Sequence, residues 1–132
     1  MRTHAFRLRP GEDLRLALEE ATRARRLAAA CVVTRVGSLE RARLRLAGGD
    51  ETLELAGPLE IVSLVGTLST DGPHLHGSFS DAKGEVRGGH VLAGCLVRTT
   101  AELVIGELEG VTFARATDPA TGWRELIVRQ EP

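Results

Sequence analysis

Helical periodicity occurs once in this chain and gives way to strand periodicity for the remainder, an order that decides the fold class. Leu14, Ala17, Leu18, Ala21 and Ala24 recur at steps of three and four, which places them on one stripe of a helix. Arg15, Glu19, Glu20, Arg23 and Arg26 take the other side. Pro10-Gly11-Glu12-Asp13 reads as the start of that helix, with acids in the first turn where the helix dipole favours them. From Ala28 onward apolar residues alternate with period two, the pattern of half-buried strands. The spacing predicts strands over 4–9, 29–34, 39–46, 52–55, 59–68, 74–80, 85–91 and 99–108. A last hairpin, 111–116 with 123–128, brackets Asp118-Pro119-Ala120-Thr121-Gly122. The expected architecture is α+β: a mostly antiparallel sheet with one main covering helix, in a single domain spanning 1–132.

Phe6, Phe79, Phe113 and Trp123 are the only aromatics, so the core must be built from Leu, Val, Ile and Ala. No apolar run is long enough for a transmembrane helix, so no membrane partner is expected. Met1 to Arg7 lacks the apolar stretch of a secretory signal, and the expected compartment is the cytoplasm. Cys31 and Cys95 both lie in apolar surroundings and read as small buried hydrophobes rather than a disulfide pair. A net charge of -1 hides an excess of arginine in the first fifty residues and of acids in the rest. Those arginines are read as a solvated surface, with a phosphate-binding patch as the alternative; a nucleic-acid footprint would need them clustered and a pI above 6.4.

Three of the four histidines fall in one stretch, His74-Leu75-His76 followed by Gly88-Gly89-His90. His-x-His puts two imidazoles on one face of a strand, because strand side chains alternate. A third imidazole from a neighbouring strand would complete the three-histidine set of catalytic zinc sites, with a fourth position left for water or substrate. The same histidines would also serve as polar groups on an exposed sheet face.

Asp81-Ala82-Lys83-Gly84 reads as a four-residue hairpin connection, and it permits a geometric test. If Ser80 pairs with Glu85, Leu75 lies opposite His90, and His90 then points away from His74 and His76. One extra residue in the returning strand would set His90 across from His76. Gly88-Gly89 is where a bulge would be cheap, so a bulge is expected there, with all three imidazoles on one face.

Several blocks then resemble a known family. They are Gly57-Pro58-Leu59-Glu60-Ile61-Val62-Ser63-Leu64-Val65-Gly66-Thr67-Leu68, Gly72-Pro73-His74-Leu75-His76-Gly77-Ser78-Phe79-Ser80, Gly88-Gly89-His90-Val91-Leu92-Ala93-Gly94-Cys95 and Thr99-Thr100-Ala101-Glu102-Leu103-Val104-Ile105, with Leu8 to Leu14 entering the helix. Together they resemble the PPC domain, the plants-and-prokaryotes-conserved domain. The resemblance implies one sheet with a single helix, assembled as a homotrimer. It also implies zinc, or another divalent transition metal, at His74, His76 and His90; plant members lack those histidines. The broad architecture is similar to acetolactate decarboxylase, whose metal is also held by three histidines. The family carries a DNA-binding label, which in plants belongs to a separate Arg-Gly-Arg-Pro element that this chain does not contain. DNA is therefore a partner by family association only.

Two functions follow as expectations. One is a trimeric, metal-binding regulatory module associated with DNA. The other is a zinc-dependent enzyme, of lyase or hydrolase type, acting on a small oxygenated ligand. The enzyme would need a proton-transfer group and an anion holder, for which Glu60, Arg98 and Glu102 are the candidates, with a salt bridge or subunit contact the alternative for each. Asp71 is read as a turn residue. A purely structural zinc would need a fourth ligand, and only His4 and Cys95 remain of preferred type.

Overall fold

The computed structural model describes all 132 residues. In chain order the elements are β1 (Arg2–Leu8), α1 (Leu14–Ala24), β2 (Ala30–Arg45), β3 (Thr52–Leu68), β4 (His74–Ser80), β5 (Val86–Val91), β6 (Leu96–Glu107), β7 (Val111–Thr117) and β8 (Arg124–Gln130). The class is α+β with antiparallel pairing throughout.

Six strands form one sheet in the order β1-β6-β2-β3-β4-β5, and β5 pairs again with β2, so four strands close on themselves. Closure depends on the length of β2. Its first part pairs with β6, up to Arg41↔Leu96, and its end pairs with β5 at Leu44↔Val91 and Arg45↔His90. Two expected boundaries are therefore corrected: 29–34 and 39–46 are one strand, and so are 52–55 and 59–68. Gly37 and Gly57-Pro58, which punctuate the sequence, sit inside the paired strands near register shifts, where a bulge bends a strand without ending it.

The expected helix is present and is the only one. Its acids are placed differently from expectation, since none lies in the first turn. Asp13 is the N-cap; its Oδ1 accepts from Leu16 N–H (3.0 Å) and its Oδ2 from Gly94 N–H (2.6 Å), tying the helix to the β5–β6 connection. The buried stripe is Leu14, Leu18, Ala21 and Thr22; Ala17 is half-buried and Ala24 exposed. This face closes over an aliphatic core that includes Leu39, Leu44, Leu75, Leu103 and Ile105, with Phe79 the one fully buried aromatic. No helix is long and apolar enough to cross a membrane.

β7 and β8 form a separate two-stranded sheet. Such a hairpin is marginal alone and needs docking. Phe113 supplies it: the ring is buried, and its N–H donates to Ala28 O (3.0 Å). Asp71 supplies a second tether by accepting from Arg115 N–H (2.8 Å), a role in docking the hairpin beyond its expected place in a turn.

Candidate metal centre

His74 and His76 stand two residues apart on β4, and both point out of the closed sheet while Leu75 and Phe79 point in. His90 on β5 pairs directly with His76. The three imidazoles offer ligand atoms that all lie within 4.8 Å of one another. Zinc held at ordinary Zn–N distances needs donors about 3.4 Å apart, a gap that rotamer adjustment of half-exposed rings can close. The donor set therefore fits a divalent transition metal.

The reason His90 faces its partners differs from the expected one. The β4–β5 ladder runs unbroken from Ser80↔Val86 to His76↔His90, with no bulge at Gly88-Gly89. The additional residue lies in the turn instead. Asp81 N–H donates to Glu85 O (2.9 Å), Gly84 N–H donates to Asp81 O (3.0 Å), and Gly84 adopts φ 81°. This is a hairpin whose turn ends in a left-handed residue, the glycine bulge of such loops. Asp81 Oδ1 holds it by accepting from Lys83 and Glu85 N–H (2.9 and 3.0 Å).

Gly88 and Gly89 serve close approach. A Cβ on Gly88 would lie 2.6 Å from Gly77 O, and one on Gly89 would lie 2.7 Å from Arg45 O. β5 is squeezed between β4 and the end of β2, and only glycine lets all three backbones pack there.

Beside the histidines opens a cleft of about 570 Å³, lined by His74, His90 and residues from four other parts of the chain. Arg15 comes from α1, Arg45 from the end of β2, Asp71 from the β3–β4 turn, and Arg115, Trp123, Arg124 and Glu125 from the C-terminal hairpin. Arg45 lies 5.3 Å over the Trp123 ring. Partial burial lowers the pKa of His74, helped by the Arg115 guanidinium and by His76. His90 is lowered likewise, by burial first and then by Arg45. Both shifts favour the neutral form that a metal requires.

Glu60, Arg98 and Glu102 do not line this cleft. Glu60 pairs with Ser38 and Ser80, at the far end of β4 from His74; Glu102 pairs with Arg7 and Val36, and Arg98 lies on the same strand β6. All three are exposed. His4 pairs with Glu107 (3.3 Å) on β1–β6, and Cys95 is buried against the backbone of Arg43, so neither joins the histidines. The arginines that do surround them carry no sequence signal: they run from position 15 to position 124 and share no motif.

Comparison with known proteins gives this arrangement a context. The family model of the Plants and Prokaryotes Conserved (PCC) domain, also abbreviated PPC, matches residues 1–109. The bifunctional protein GlmU of Synechococcus sp. (strain JA-3-3Ab) is 45% identical over 130 residues, 98% of this chain and 21% of that protein. The chain thus spans about a fifth of the length of the curated relatives it matches. A hypothetical protein from Salmonella enterica is 43% identical, with a TM-score of 0.94, over 98% of this chain and 94% of its own. A metal-containing protein from Archaeoglobus fulgidus is 27% identical, with a TM-score of 0.82, over 96% of this chain and 94% of its own. Two more distant structures share the fold alone: one from Bacteroides thetaiotaomicron with DNA binding in its name (16% identity, TM-score 0.84) and an α-acetolactate decarboxylase from Bacillus subtilis (16%, 0.56). With a family model matched over most of its length, this chain belongs to the Plants and Prokaryotes Conserved domain family.

Proposed function

We propose that the chain is a metal-binding module in which His74, His76 and His90 hold one divalent transition metal, with zinc the ion best suited to three imidazoles. The observation that carries this reading is the mutual reach of the three rings, within 4.8 Å on an outer sheet face beside a cleft. The archaeal neighbour described as metal-containing supports it. Bound there, the metal would act as a Lewis acid toward an oxygen donor. The chain's own residues set the surroundings: the turn at Gly84 aims His90, and Arg45 and Arg115 keep positive charge beside the rings. This favours a small oxygenated molecule as the ligand, in a site of enzyme type, over a purely structural ion, because no fourth protein ligand joins the group.

Titrating zinc into chelator-treated protein by calorimetry tests the reading. One site per chain is expected, weakened about 100-fold or more in His76→Ala while far-UV circular dichroism is unchanged. Undiminished binding by that variant would overturn it.

Homotrimeric assembly is part of the same proposal, supported by the exposed Val33, Val36, Val62 and Val65 on β2 and β3. Light scattering should give three chain masses, and Val36→Glu should reduce them. DNA association has support from the names of distant neighbours. A salt-titrated duplex assay decides it: absence of affinity at low salt, where phosphate contacts are strongest, removes it.

A further inference from the structure

The C-terminal hairpin lies beyond the matched family span, which ends at residue 109, yet it builds one wall of the cleft beside the histidines. Likeness to the Synechococcus and Salmonella proteins extends over 98% of the chain and so takes in the hairpin. We propose that this hairpin makes the cleft a pocket for a small carboxylate-bearing molecule, with Arg124 and Arg115 beside Arg45 as the anion holders and Trp123 as the platform that positions Arg45.

The guanidinium groups are arranged for an outside anion. Every ion pair of the chain lies elsewhere: His4–Glu107, Arg23–Glu20, Arg41–Glu54 and Arg43–Glu54. Arg15, Arg45, Arg115 and Arg124 converge on one cleft without a carboxylate partner, against only Asp71 and Glu125. The two acids are already engaged, since Asp71 accepts from the backbone N–H of Arg115 (2.8 Å) and Glu125 Oε1 from the Thr121 hydroxyl (3.0 Å).

The arginines are also fixed in place. Arg115 donates to the Thr67 hydroxyl (3.1 Å), and Arg124 donates to Arg115 O (3.0 Å), which leaves further N–H groups of each planar fork free. Arg45 is held over Trp123, and that ring in turn packs against the Gly49 turn, where an added Cβ would sit 3.7 Å from it. A planar carboxylate matches such forks bidentately. The pocket depends on the metal reading only for the ligand's second oxygen, which would fall toward the histidines.

Trp123 is the chain's single tryptophan, so its fluorescence reports binding without any assay of activity. The probes are glycolate, pyruvate and malate, with ethylene glycol as the uncharged control. Saturable quenching by a carboxylate is expected with zinc-loaded protein, and weaker but measurable quenching after chelation. Arg124→Gln should weaken binding about 10- to 100-fold at unchanged zinc content, whereas Arg129→Gln, on the same hairpin but outside the cleft, should leave it unchanged. His76→Ala, with its weakened zinc site, should retain the weaker carboxylate binding. Equal binding by Arg124→Gln and the unaltered protein, or no response to any of the three carboxylates, would overturn the pocket. Loss of zinc dependence with the Arg124 effect intact would count against the metal reading alone.

Discussion

Substituting Gly89 by alanine separates the two reasons a glycine can stand before His90. A bulge would need its backbone freedom; the observed ladder needs its missing Cβ. The added Cβ would meet Arg45 O at 2.7 Å, a backbone atom held in the β2–β5 pairing. Reaching an ordinary contact requires β5 to move off β2 by about 0.7 Å, and overpacking of this kind typically costs about 1–3 kcal/mol. For a chain of 132 residues that lowers the thermal midpoint by about 4–11 °C. The same displacement carries His90, whose partner on β2 is Arg45, away from its neighbours, so zinc affinity should fall together with stability. Differential scanning calorimetry and zinc titration read the two effects. Gly48→Ala is the control, because nothing lies within 4 Å of its added Cβ, and it should be neutral or slightly stabilising. A Gly89→Ala protein as stable and as zinc-avid as Gly48→Ala would refute the close-approach account.

Apparent zinc affinity should be level above roughly pH 7 and fall below about pH 6.5, because the lowered pKa values of His74 and His90 keep both rings neutral until protons are abundant. Without metal, the unfolded chain binds more protons at these two positions than the folded one as pH drops through that range. Stability of the metal-free protein should therefore decline on acidification there, as followed by urea midpoints. Asp13→Ala removes both the cap on Leu16 and the tie to Gly94, and should cost about 2 kcal/mol in denaturant titrations. Cys95 is fully buried with its thiol pushed up to about 11, so native protein should show only Cys31 reacting with a thiol reagent, and both after unfolding.

The sequence made some of this legible and concealed the rest for physical reasons. His-x-His on a strand puts two rings on one face by alternation alone, so His74 and His76 could be paired without coordinates. The third ring depended on register, and register is set by the turn. Asp81-Ala82-Lys83-Gly84 reads as a four-residue connection, whereas the strands pair from Ser80↔Val86 onward, and the turn ending in Gly84 supplies the offset that glycine's backbone freedom would otherwise place at Gly88-Gly89. The helix stripe was readable because period alone defines it, while Asp13 as a cap required knowing where the helix begins. Gly57-Pro58 reads as a strand end because a local signal for a bend and one for a stop are the same. The cleft was invisible: Arg15, Arg45, Arg115 and Arg124 converge only through closure of the sheet and docking of the hairpin by Phe113.

Crystals grown with zinc, measured on either side of the zinc absorption edge, test the metal centre most directly. One anomalous peak per chain is expected among His74, His76 and His90, at about 2.1 Å from a nitrogen of each ring. A map with no peak there, or with zinc bound only elsewhere, would contradict it.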